Sequence, residues 1–191
     1  MAAGIVLVIA ALSLLLINYY EDLSAKKASE EYSSKIAEQI EDKIVNQSDQ
    51  DNNVPDPYNP EMSVLTLDGY DFIGYLSLTT LGLELPVFSD WDYVKMTVAP
   101  CRYSGSVKTD DLVIAAHNYL SHFGYLQNLE AGDEILFTDA DGITHRYAVA
   151  ELEVLPPDAV DVMVDGNFDL TLFTCTYGGE NRVTVRCDRI K

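Results

Sequence analysis

The chain has 191 residues, 48% of them hydrophobic, enough apolar mass to bury one ordinary domain with appendages and to exclude disorder throughout. Its 31 acidic and 12 basic side chains give a net charge of -19, which repels phosphate backbones and excludes a broad basic face for nucleic acid. The cysteines at 101, 175 and 187 form no CxxC pair and no metal-ligand spacing, so a zinc knuckle and a dense disulfide framework are excluded too.

The chain opens on an apolar run from Ala2 to Ile17, near the lower limit for crossing a hydrocarbon core of roughly 30 Å. Residues 1–19 are therefore expected to be a transmembrane anchor. A secretory signal is the rival, but no small-x-small cleavage site follows. Either reading exports the remainder. Lys26 and Lys27 follow the run and no basic residue precedes it within this sequence, a pattern that by the positive-inside tendency favours the opposite orientation.

Residues 21–47 are charged and helix-prone, with Ala28, Tyr32, Ile36, Ile40 and Ile44 on one narrow stripe. This predicts a stalk helix, read as a solvated spacer in preference to a dimerising coil. From Asn46 to Met62, "NQSDQDNNVPDPYNPEM" combines polar residues with three prolines, the composition of a linker. Residues 20–62 thus form stalk and linker, and 63–191 the folded domain.

Beyond position 62 short β-like runs alternate with turns: "FIGYLSL", "LELPVF", "DLVIAAHN", "EILFTD", "THRYAVAELEVL", "LTLFTC" and "RVTVRCDRI". The expected class is all-β, a closed barrel or sandwich, because so many short strands must hide their edges. In "FTDADGITHRY" Asp141-Gly142 supplies a hairpin turn. A calcium loop counted from Asp139 fails, since its twelfth position is Ala150 and not Glu.

Three residues could carry chemistry. The apolar strand Leu112 to Ala116 delivers His117 to its end, where a buried scaffold meets a loop; a histidine satisfied by backbone groups is the plainer alternative. His122 reads as a local polar contact or a lid residue. Together with Cys175 these histidines lack an acidic ligand at a helical or hairpin spacing, so no metal is expected. Cys175 ends "TLFTC", and only its thiolate is a strong nucleophile, so it needs a nearby base, which His117 can supply.

The six-residue loop "TYGGEN" reverses the chain at Gly178-Gly179 and brings Arg182 back beside Cys175. Arginine is a poor base but a good charge clamp for a developing oxyanion. Strand parity puts Arg182, Thr184 and Arg186 on one face, with Arg186 as a reserve clamp, and Val183, Val185 and Cys187 on the other. Cys187 reads as a small core hydrophobe. Cys101, in "APCRYSGS", reads as a free loop thiol, a substrate-groove residue or an accidental partner for Cys187.

"TLFTC" with an arginine opening the next strand resembles the sortase signature of a Thr-Leu-x-Thr-Cys strand end and downstream Arg. "VIAAHN" is similar to the sortase strand that ends in the catalytic histidine, and "LGLELPVF" to an early sortase strand. The resemblance covers about residues 70–190. It implies an eight-stranded β-barrel with short helices behind a membrane helix and stalk. The implied activity is a cysteine transpeptidase, with no cofactor, outside a Gram-positive-type cell. In that reading Cys175 attacks a Leu-Pro-x-Thr-Gly-like sorting signal, His117 is acid and base, and Arg182 steadies the oxyanion. Thr174 and Asn118 would contact substrate. The implied partners are sorting-signal-bearing surface proteins and a peptidoglycan-precursor or pilin amine as acceptor, water as acceptor giving a hydrolase. A barrel that binds peptide or assists assembly without turnover is the alternative.

Departures from the family pattern concern its classes. Asp56-Pro57-Tyr58 is only weakly similar to the lid of pilin-polymerising sortases. "HNYLSHFG" resembles class B, yet the segment 149–170, with Pro156-Pro157, leaves little room for the long helix expected there.

Overall fold

The apolar run and the charged stripe are one uninterrupted helix, α1 (Ala2–Gln47), since neither Gly nor Pro interrupts the chain between Ile5 and Gln47. A computed structural model describes residues 2–47, 61–165 and 167–190. The proline-rich linker expected before Met62 lies largely outside these residues, as does Asp56-Pro57-Tyr58. The apolar half of α1 is exposed throughout, and α1 is the one helix among the described residues long and apolar enough to cross a membrane.

Nine strands follow: β1 (Leu65–Leu67), β2 (Tyr70–Leu78), β3 (Leu83–Phe88), β4 (Cys101–Ser104), β5 (Leu112–Ala115), β6 (Glu134–Asp139), β7 (Thr144–Leu155), β8 (Leu170–Cys175) and β9 (Arg182–Arg189). Their order, β1-β2-β3-β4-β5-β8-β9-β7-β6, closes on itself because β6 also pairs with β2, from Gly74↔Asp139 to Leu78↔Ile135. Strands β2 to β9 thus form the expected closed eight-stranded barrel, and β1 is an extra strand on the start of β2. Closure leaves the eight barrel strands without a free edge along the shared ladder. At the seam Gly74 has φ 139°, and a Cβ there would lie 2.0 Å from the Thr138 carbonyl oxygen, so only glycine lets β2 and β6 meet.

The barrel interior is filled by alternate strand residues, among them Leu76, Phe137, Tyr147, Leu172 and Val185. A second apolar layer covers the outside, in which Phe72, Phe88, Val113 and Phe173 join one cluster with α1 residues Ile36 and Ile40, the helix meeting it over β2 and β3. The Phe72 and Phe88 rings stack at 4.5 Å, and Tyr32 of α1 lies 5.2 Å from Phe72.

The stalk is therefore not a solvated spacer. Its buried positions are Ala25, Ser29, Ser33, Ile36 and Ile40, a stripe displaced from the expected one: Ile44 remains 49% exposed. Small residues let the upper helix approach β3, where Ser33 Oγ donates to the Glu84 carbonyl at 3.2 Å. Further on, Lys43 donates to the Ala140 carbonyl at 2.9 Å and pairs with Asp141 at 2.8 Å. Near the apolar half, Asp22 Oδ1 accepts from the Ser121 N–H at 2.9 Å and from Ser121 Oγ at 2.8 Å.

The β6–β7 hairpin turns at Asp141-Gly142 as its sequence predicts. Asp139 accepts from the Asp141 and Ile143 amides and holds His145 at 2.8 Å, so its carboxylate is engaged within the turn. The β7–β8 connection carries one helical turn, α3 (Val160–Met163). All three cysteines are free thiols. Cys101 is a fully buried strand residue, not a loop thiol, a groove residue or a partner of Cys187, which lies inside the barrel. Burial pushes the Cys101 thiol up to about 12 and raises that of Cys187 further.

Candidate active site

Strand β8 runs between β5 and β9, parallel to the first and antiparallel to the second. The parallel register ends at Ala115↔Phe173, and continuing it two residues sets His117 level with Cys175. On the other side Cys175 pairs directly with Arg182. Cys175 and Arg182 are thus neighbours across one rung, and His117 stands two residues past the end of β5 on the other side of β8. Parity gives them one face: Val113, Ala115 and Phe173, which share it, all belong to the outer apolar layer.

All three line one cleft of about 330 Å³ on the barrel's outside. One wall is aromatic. Trp91, Tyr93 and Tyr103 stand there, with Trp91 4.9 Å from Tyr93 and Tyr103 edge-on to Phe173 at 5.2 Å. It is held by α2 (Tyr93–Met96), whose cap Asp92 accepts from the Val94 and Lys95 amides.

The facing wall is Pro157 with Val160 and Met163 of α3. Arg186 fixes it from beneath. Only 1% exposed, it donates to the Val162 carbonyl at 2.7 Å, to that of Met163 at 3.0 Å and to Thr171 Oγ1 at 3.1 Å, and pairs with Glu153 at 2.8 Å. The expected reserve clamp is thus fully committed to holding α3 and is closed off from the cleft.

His117 is half-buried and packs against the Tyr119 ring at 5.0 Å. Burial holds its imidazole below the usual histidine range, with the Glu21 carboxylate of α1 pulling weakly the other way. The ring is therefore largely neutral at physiological pH and able to accept a proton. Arg182 donates through Nη1 to the Gly179 and Asn181 carbonyls, each at 3.0 Å. Those bonds brace the loop after Cys175 and leave Nε and Nη2 as further donors.

The two other expected contact residues behave differently. Thr174 is 3% exposed and its hydroxyl donates to the Ala116 carbonyl at 2.9 Å, tying the end of β8 to the residue before His117. Its hydroxyl is thereby engaged with the fold. Asn118 Nδ2 donates to the Thr176 carbonyl at 3.5 Å and lines a second opening of about 250 Å³, with Leu120, Thr176 and Tyr177. Cys175 borders both openings.

His122 is not a lid: it is fully buried 5.5 Å from the Tyr119 ring, with the Val98 backbone as a polar neighbour but neither ring nitrogen completing a well-formed hydrogen bond. Desolvation, then the neighbouring His117, depress it to about 4. Among the described residues no group of three His, Cys, Asp or Glu side chains is arranged to hold a metal ion.

The sequence model of the sortase domain matches residues 76–190, more than half of the chain, with His117, Cys175 and Arg182 inside the match. The chain belongs to the sortase family. Sortase A of Bacillus anthracis is 24% identical over 169 residues, covering 85% of this chain and 80% of that protein. A structure of Clostridium perfringens sortase C with the C-terminal cell wall sorting motif superposes with a TM-score of 0.59 at 22% identity, over 86% of this sortase and 98% of that chain. A sortase D5 transpeptidase from Clostridium perfringens gives 0.60 at 21% identity, over 88% and 99%. Membership supports a transpeptidase activity in general, and these structural likenesses speak to the fold.

Sequence reasoning missed the aromatic wall, the brace under α3 and the contact of α1 with the loop after His117. The first had a visible signal in Trp91, Tyr93 and Tyr103, closely spaced around one short segment. The others join residues far apart in the chain and left none.

Proposed function

We propose that this sortase is a cysteine transpeptidase, anchored by the apolar half of α1 with its barrel outside the cell, that cleaves a Leu-Pro-x-Thr-Gly-like sorting signal. Cys175 gives its thiol proton to the neutral His117 and its sulfur attacks the Thr carbonyl carbon. The Thr–Gly C–N bond breaks as His117 returns that proton to the leaving amine, forming a thioester. An incoming amine, from peptidoglycan precursor or a pilin subunit, then loses a proton through His117 and displaces the sulfur. Arg182 stabilises the oxyanion of both tetrahedral intermediates. The aromatic wall and the α3 wall would grip the apolar part of the signal, and Thr174 and Asn118 would set the strand ends that receive it.

The observation that carries this reading is one cleft lined by His117, just past β5, together with Cys175 and Arg182, paired across β8 and β9. The test is mass spectrometry of the full-length protein mixed with a library of Leu-Pro-x-Thr-Gly-like peptides. A thioester adduct on Cys175, absent from Cys175→Ala, is expected. Peptide bound without any adduct would leave a binding module instead.

A further inference from the structure

We infer that the barrel end carrying the site rests in the headgroup layer of the membrane, with Leu120 and Tyr177 inserted as apolar contacts. This rests on reading the apolar half of α1 as a membrane span. That run ends at Ile17, and Tyr19 and Tyr20, 62% and 65% exposed, follow it as interfacial aromatics do. The loops that hold the site meet the helix just there. Asn118, Tyr119, Leu120, Tyr177 and Gly178 form one cleft with Asn18, Tyr19, Glu21 and Asp22, and Asp22 is hydrogen-bonded to Ser121.

Levels along the helix decide the matter. At about 1.5 Å per residue, Asn18 to Asp22 rises only about 6 Å, whereas a headgroup layer is about 5–7 Å thick. The loops therefore sit within that layer. The opposite barrel end, where Lys43 meets Asp141, stands about 30 Å farther out along the same helix. Leu120 is 54% and Tyr177 98% exposed, one large apolar and one amphipathic ring at the depth each prefers. Glu21 and Asp22 in that cleft disfavour attraction to anionic lipid. The occupant is therefore the apolar side of the membrane interface, entered through Leu120 and Tyr177 without charge attraction, and neutral phosphatidylcholine is the probe for it.

The test uses the full chain, with Trp91→Phe as background, in vesicles of phosphatidylcholine whose acyl chains are brominated near the headgroups. Single reporters are Leu120→Trp, Tyr177→Trp, Ile143→Trp at the far turn and Leu12→Trp in the span. Leu120→Trp and Tyr177→Trp should be blue-shifted and quenched by about twofold or more, equally at low and high salt, with Ile143→Trp unchanged. Quenching of Leu12→Trp alone overturns the inference and leaves the anchor standing. An unquenched Leu12→Trp overturns the anchor, and this inference with it. Quenching of the loop reporters only with anionic lipid overturns the apolar contact proposed here.

Discussion

Cys175 and Arg182 are partners in one rung of the β8–β9 ladder, and the arginine also holds the Gly179 and Asn181 carbonyls of the loop that joins them. One side chain thus braces the loop and lines the same cleft as Cys175 with donors to spare. Arg182→Ala should lower kcat/KM by about 10²–10³-fold, mostly through kcat, as loss of an oxyanion donor does. Arg182→Lys keeps the charge but not the fork and should recover only part of the rate. Full activity in both, from steady-state peptide cleavage, would remove Arg182 from the mechanism.

Arg186 shares the parity of Arg182 but is closed in beneath α3. Arg186→Met leaves Glu153 and the Val162 and Met163 carbonyls without their donor and should destabilise the protein by about 3–5 kcal/mol. Because α3 is one wall of the cleft, the surviving folded fraction should show a raised KM for peptide with kcat less affected. Denaturant titration and steady-state kinetics measure both. An unaltered KM would mean that α3 does not touch substrate.

His122 makes stability depend on acid. Its ordinary value is 6.5 and its folded value about 4, so between those limits the unfolded chain binds a proton that the folded chain refuses. Stability from this group is complete above pH 6.5 and falls as pH drops towards 4, by about 3 kcal/mol in all. His122→Phe removes that titration, so its melting temperature should fall less than the parent's between pH 7 and 4. Parallel melting curves for the two proteins would contradict the assignment.

The stalk contributes to the barrel's stability through Ile36, which is fully buried, more than through Ile44, which is half-exposed. Ile36→Ala should cost about 2–4 kcal/mol and Ile44→Ala less than about 1 kcal/mol. Equal small effects, measured by chemical denaturation in detergent, would return α1 to the role of a spacer.

The Cys175–Arg182 pair was legible because its determinants are local, whereas His117, far from Cys175 in the chain, was tied to them only by the resemblance to sortases. A six-residue loop between "TLFTC" and "RVTVRC" fixes the Cys175–Arg182 pairing, and alternation then assigns faces. The all-β class was legible from short strands and turns such as Asp141-Gly142, while closure as a barrel in place of a sandwich came from the resemblance. The stalk's contact was not legible. Ala25, Ser29 and Ser33 pack closely because they are small, which a search for apolar periodicity overlooks, and the outer Phe72 and Phe88, on the strands that receive the helix, look like ordinary core residues. Parity likewise treats Arg182 and Arg186 alike. Only the fold of α3 over one of them separates a donor at the cleft from a pin under its wall.

Two of the three thiols are enclosed and strongly resistant to ionisation, while Cys175 alone borders open space. A mild alkylating reagent can therefore serve as a stoichiometric titrant. One equivalent consumed counts intact barrels, and any excess counts molecules whose interior has opened.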